Sequence, residues 1–161
     1  MPDHKDVRAI LVRSARAEAR RDGSRTIEAE HVLLAVAALD GSSAARLLAE
    51  AGLTDSAIRD ALNREWEQSL AVAGIAVRTG LLPEATPDRA RDPQIGESTK
   101  LVLRRAMDAP PKLGGRIGPM RILVGLLDTE RGRVARTLQA AGVDRQALHA
   151  RATEALAAGT P

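Results

Sequence analysis

The sequence predicts an all-α protein, and three observations carry that prediction. Apolar residues recur at three- and four-residue steps along most of the 161 residues. Hydrophobic residues make up 44%, almost all of them Ala, Leu, Val and Ile, with one Trp (Trp66) and neither Phe nor Tyr. Small aliphatic side chains let helices approach closely, whereas sheets favour aromatic and β-branched residues. Finally, "TIEAEHVLLAVAALDGSSAARLLAEAGL", residues 26–53, returns 90 positions later as "RIGPMRILVGLLDTERGRVARTLQAAGV", residues 116–143.

The elements follow in order. Val7, Ile10, Leu11, Ala15 and Ala19 form one face of a first helix, which Asp22-Gly23-Ser24 ends because Gly accepts the left-handed C-cap conformation. A second helix is predicted over roughly residues 29–39, stopping at Asp40-Gly41. Ser42 or Ser43 caps a third, running to Ala51-Gly52. Thr54 or Asp55 caps a fourth that carries Ala57, Ile58, Ala61, Leu62 and Trp66. Prolines and glycines then mark a linker. Ser98 or Thr99 caps a fifth helix with Leu101, Val102, Leu103 and Ala106, ended near Ala109 by Pro110-Pro111. Three more follow, over about residues 119–127, 132–140 and 144–157.

The repeat fixes how these helices are grouped. Ile27 pairs with Ile117, Leu33 with Leu123, Arg46 with Arg136, Leu48 with Leu138 and Gly52 with Gly142, always 90 apart. A constant offset through two helices and their turns is the mark of a duplicated unit. The chain is expected to be a single domain with repeat one over residues 1–70, a linker over 71–97 and repeat two over 98–161. It would hold about eight helices, two four-helix repeats related by a pseudo-twofold axis.

Several function classes lose support from composition. Without cysteine there is neither a disulfide nor thiolate chemistry. The charged N-terminus lacks the apolar stretch of a signal peptide, and no apolar run approaches the roughly 18–20 residues of a membrane span. A cytoplasmic protein without membrane partners is expected. The net charge of +3 and pI near 10.1 come from scattered arginines with no stacking aromatics, which leaves nucleic-acid binding as the weakest of the alternative functions. His4, His31 and His149 lie far apart, with no metal-ligand spacing. No serine sits in a nucleophile elbow, and no G-x-x-x-x-G-K-[ST] occurs, the nearest candidates at Gly96–Lys100 and Gly114-Gly115 being wrongly spaced. The chain is therefore expected to be no enzyme, to need no cofactor and to consume no nucleotide.

In the first half Ala15, Glu18, Ala19, Gly23, Ile27, Glu30, His31, Leu33 and Leu34 fall in one pattern. It resembles the amino-terminal repeat of Clp ATPases, especially ClpC, roughly A-x-x-E-A-x-x-x-G-x-x-x-I-x-T-E-H-L-L-L-G-L. The second half is similar through Leu113, Gly114, Ile117, Gly118, Ile122, Leu123, Gly125, Leu126, Ala135, Arg136, Leu138 and Gly142, with one deletion near Gly115. The resemblance implies a non-catalytic protein- or peptide-binding module of the Clp chaperone–protease system, free-standing and without the ATPase modules. Implied partners are that system's substrate proteins, adaptors or peptides, and a ClpC ATPase for which it acts as competitor or decoy.

Glu30-His31 is the sharpest local feature. Read from the residues alone, a Glu in the first turn of a helix favours its macrodipole, and His31 closes the start of that helix. By resemblance, the matching Glu of some ClpC proteins recognises phosphoarginine. A carboxylate suits the guanidinium and amides at a helix N-terminus suit the phosphate, which makes Glu30 the implied ligand residue. Repeat two departs from this pattern, with Met120 and Arg121 at the matching positions. Met cannot bind a guanidinium and Arg repels one, so the second site is expected to have diverged, Arg121 suiting a carboxylate or phosphate instead.

Some relatives also bind hydrophobic cyclic-peptide antibiotics through two Phe residues. Here His4 and Lys5 fall near the first position and Ile95 near the second. Sequestration of such peptides, protecting a ClpC, is the first alternative function. Leu70, Val72, Ile75 and Val77 are too apolar for a solvated tether and are expected to fill a groove between repeats or to extend the fourth helix. "LLPEATPDRARDP", residues 81–93, is expected to be exposed and mobile.

Overall fold

The computed structural model describes residues 4–110 and 117–159 and, for residues 4–8 and 10, the backbone alone. Leu113, Gly114 and the deletion near Gly115 therefore lie outside the described residues, as do the side chains of His4, Lys5, Val7 and Ile10.

Helix α1 (His4–Arg21) buries Leu11, Ala15 and Ala19, one turn apart. It ends at Gly23, whose φ of +66° lets Ser24 N–H return to the Ala19 carbonyl at 2.8 Å. A two-residue strand β1 (Thr26–Ile27) leads into α2 (Ala29–Ala37), in which eight of the nine residues are buried. Ser42 caps α3 (Ser43–Glu50) by accepting from Ala45 N–H at 3.0 Å, and Thr54 caps α4 (Asp55–Val72) in the same way. Repeat two holds α5 (Glu97–Asp108), the fully buried α6 (Pro119–Leu127), α7 (Arg133–Ala140) and α8 (Arg145–Ala157).

The packing has the expected pseudo-twofold pattern. Helices α2 and α6 meet across the axis, α2 touches α7 as α6 touches α3, and α1 lies on α2 as α5 lies on α6. One core runs through both repeats, with Leu33, Leu48, Ile58, Leu123, Leu126 and Leu138 withdrawn completely from solvent. Each such side chain contributes roughly 1.5–3 kcal/mol of burial.

The symmetry breaks in two places. Helix α8 rests mainly on α6 of its own repeat, whereas α4 packs mainly on α7 of the other. The α5–α6 crossing is also the tighter one. At Gly125 a Cβ would lie 2.5 Å from the Val102 carbonyl oxygen and 3.0 Å from Ala106 N. The position 90 residues earlier holds Ala35, buried without such a conflict.

The connection between repeats differs from a tether. Its apolar start extends the fourth helix, because α4 runs to Val72; Val72 is 91% exposed and Ile75 half-exposed, so neither fills a groove. Residues 81–87 are exposed as expected, but the expectation fails from Asp88 onward. Asp88 N–H donates to the Arg20 carbonyl at 2.9 Å, Arg20 Nε to the Arg91 carbonyl at 2.7 Å and Arg91 Nη1 to the Gly23 carbonyl at 3.0 Å. Strand β2 (Gln94–Ile95) then pairs in parallel with β1, Thr26 opposite Gln94 and Ile27 opposite Ile95. These bonds are made by backbone and arginine, which hydrophobic patterning does not register.

The expected caps Ser98 and Thr99 are placed differently as well, since α5 starts at Glu97 and its N-cap is Gly96. Their hydroxyls reach repeat one instead. Ser98 Oγ accepts from Ala29 N–H at 2.8 Å and donates to the Glu28 carboxylate, and Thr99 Oγ1 donates to the Ile27 carbonyl at 2.6 Å. Among the described residues no helix is long and apolar enough to cross a membrane.

Candidate binding site between the repeats

Glu30 occupies the second position of α2, where its carboxylate complements the helix dipole, and its side chain is only 9% exposed. A carboxylate this withdrawn requires a charged partner. Arg133, the first residue of α7, supplies it from the other repeat, Nη1 lying 2.8 Å from Glu30 Oε1. The same guanidinium turns its Nε to Glu65 Oε2 at 3.2 Å. Glu65, on α4 and likewise buried, also accepts from Arg136 Nε at 2.8 Å and from Ser69 Oγ at 2.7 Å. Two buried carboxylates of repeat one thus hold two guanidinium groups of repeat two, with Arg133 39% and Arg136 54% exposed above them.

The electrostatics agree with this geometry. Burial alone would raise the Glu65 carboxyl, but hydrogen bonds from Arg136 and Ser69, with the charges of Arg136 and Arg133, bring it below the usual carboxylate range. Burial pulls the Arg133 guanidinium down, yet the Glu30 charge and hydrogen bond, followed by those of Glu65, leave it raised. Both groups are held in their charged forms.

His31 takes the structural part that its residue type allows. Its Nδ1 accepts from Glu28 N–H at 2.9 Å, completing a capping box, and Nε2 meets Asp22 Oδ2 at 3.1 Å. That hydrogen bond is the strongest influence on Asp22 and outweighs burial, lowering its carboxyl. His31 is 2% exposed and faces the fold, while its neighbour Glu30 faces the partner repeat.

Repeat two has no counterpart of the ion cluster. Shifted by 90, Glu30 becomes Met120, Glu65 becomes Ala155 and Arg133 becomes Ser43; only Arg136 keeps its identity, as Arg46. The cluster forms once, where α4 leans onto α7. Met120 is buried. Arg121, also buried, donates through Nη1 to the carbonyls of Ala106, at 3.2 Å, and Ala109, at the end of α5. The two residues expected to mark a diverged second site therefore sit in the interior, with Arg121 closing a helix C-terminus.

Sequence reading singled out Glu30 but not Arg133, Arg136 or Glu65. One signal was present: the two members of the Glu30–Arg133 pair, 103 residues apart, both lose their charge at the equivalent positions Met120 and Ser43. Several other arginines are engaged by the chain itself. Arg59 forks onto Glu18 at 2.9 and 3.0 Å, Arg145 bonds the Leu127 carbonyl, and Arg151 pairs with Glu50. The apolar gap beside Leu11, Ile27, Ile95 and Thr99 has a volume of about 20 Å³, room for one water.

The fold and this interface define an all-α duplicated domain, its two repeats joined by carboxylates that grip a guanidinium. The sequence profile of the Clp repeat (R) N-terminal domain matches residues 6–115, more than half of the chain, and the chain belongs to that family. Its structure is similar to that of the N-terminal domain of the caseinolytic protease associated chaperone ClpD from Arabidopsis thaliana. The TM-score is 0.64 at 24% identity, over 92% of this chain and 90% of that one. That likeness establishes the all-α fold. No curated protein matches the chain. Family membership makes this a module of the kind through which Clp systems recognise substrates and adaptors.

Proposed function

We propose that the domain is a non-catalytic recognition module that binds substrate proteins, adaptors or peptides of a Clp chaperone–protease system. Within it Glu30 is the contact for a ligand guanidinium, that of phosphoarginine in particular. The supporting observation is the ion cluster: Glu30 and Glu65 already hold a guanidinium, that of Arg133, whose outer side is open to solvent. A phosphoarginine side chain carries the same planar donor group. A domain with this specificity would compete with the N-domain of a ClpC ATPase for tagged proteins. The peptide-sequestering alternative finds no such support, because the apolar gap near Ile95 has the volume of a single water.

The test is an NMR titration of isotope-labelled protein with phosphoarginine, with arginine and inorganic phosphate as controls. Saturable shifts around Glu30 that disappear in Glu30→Gln are the expected result, with no response at Met120 or Arg121. Absence of saturation at millimolar phosphoarginine in both the native chain and Arg133→Ala would overturn the phosphoarginine assignment.

A further inference from the structure

The guanidinium subsite is not vacant, and its occupant belongs to the chain itself. Resting on the proposed reading of Glu30, we infer that Arg133 is an intramolecular competitor that closes the site until a ligand guanidinium displaces it. Three features make the contact displaceable. Arg133 is the first residue of α7, so its side chain leaves a helix end next to Gly132, whose φ is +110°. Its side chain is 39% exposed, against 9% for Glu30 and 4% for Glu65, so it covers the two carboxylates from the solvent side. Swinging outward hydrates Arg133 without opening the core, because α7 stays anchored by the buried Val134, Thr137 and Leu138.

The cluster also holds charge in reserve for this exchange. When Arg133 leaves, Glu65 keeps Arg136 at 2.8 Å and Ser69 at 2.7 Å, while Glu30 loses its one cationic partner among the described residues. A buried carboxylate left in that state is destabilised, and a replacement cation relieves it. The incoming guanidinium supplies that cation. Apparent affinity is then the intrinsic affinity multiplied by the fraction of molecules in which Arg133 has swung away.

Titrations of Arg133→Ala and of the native chain with phosphoarginine distinguish the outcomes. Binding to Arg133→Ala about tenfold tighter or more, abolished by a further Glu30→Gln, is expected, since a site nine-tenths closed loses about a factor of ten. Equal or weaker binding by Arg133→Ala, with native binding still sensitive to Glu30→Gln, overturns the competitor and leaves the phosphoarginine reading standing. No binding by either protein overturns both. Should Arg133→Ala fold poorly, Arg133→Gln removes the charge while keeping a donor for Glu30. On the native chain, the Arg133 Nε–H resonance must move to a solvent-exposed value as ligand saturates; an unmoved resonance at saturation overturns the inference.

Discussion

Gly125→Ala exposes the geometry on which the second repeat depends. In an isolated helix this change is favourable, Ala exceeding Gly by about 0.8–1 kcal/mol. Here the new methyl lands 2.5 Å from the Val102 carbonyl oxygen and 3.0 Å from Ala106 N, both backbone atoms of α5 that no rotamer change can remove. Restoring an ordinary contact means moving α5 away from α6 by somewhat under one ångström, and overpacking of this kind costs about 1–3 kcal/mol. The upper half of that range applies because a helix, not a side chain, has to move. Subtracting the propensity gain leaves a net destabilisation of about 1–2 kcal/mol, a fall in melting temperature of roughly 2–8 °C for a domain of this size. Thermal unfolding followed by far-UV circular dichroism measures it. Ala35→Gly, at the equivalent place in repeat one, is the companion. It loses both propensity and a buried methyl and should destabilise by about 1–2 kcal/mol. The same pair of residue types should therefore prove non-interchangeable in both directions. A Gly125→Ala protein that melts at or above the parent temperature would refute the reasoning, because the α5–α6 distance would then not depend on the missing Cβ.

Three further perturbations probe other parts of the fold. Glu65 has a folded-state pKa below its unfolded value, so its contribution to stability is complete above the ordinary carboxylate range and is lost as pH falls through the folded value. Denaturant midpoints should fall from roughly pH 5 downward, and Glu65→Gln should flatten that acid limb; an unchanged slope would count against the cluster. Arg121→Met keeps the volume but removes the donor to the Ala106 and Ala109 carbonyls, for an expected loss of about 1–3 kcal/mol in chemical denaturation. A neutral outcome there would contradict a structural role for that arginine. Glu67→Ala frees Thr79, whose N–H and hydroxyl both bond Glu67 Oε1 at 2.6 Å, so trypsin should cut faster at Arg78 with the melting temperature unmoved.

Much of the architecture could be read from the chain because local chemistry decided it. Ser42 and Thr54 cap the helices they were expected to cap, Gly23 takes the positive φ foreseen for it, and Pro110 follows α5 directly after Ala109. What escaped was decided at long range. Strands of two residues carry no periodicity, and their partners lie 68 positions apart. Ser98 looks like a cap in sequence because it precedes an apolar helical run, yet its hydroxyl is used by Glu28 and Ala29. For the candidate site, the familiar pattern singled out Glu30, which the fold sets against Arg133. That guanidinium was not legible, since Arg133 is one of many arginines and only folding sets it beside Glu30.

The exposed stretch 81–87, with both of its flanks fastened to repeat one, alters what this chain is in energetic terms. The α2–α6, α2–α7 and α4–α7 contacts, with the Glu30–Arg133 pair, do not pass through that stretch. A chain severed there would consist of two fragments, each presenting an apolar face that only the other covers. Made separately, they would assemble as a heterodimer, and the affinity between repeats would become a dissociation constant open to direct titration. The intact chain corresponds to that dimer with a built-in tether, whose effect is to hold the two partners at an effective concentration on the order of millimolar.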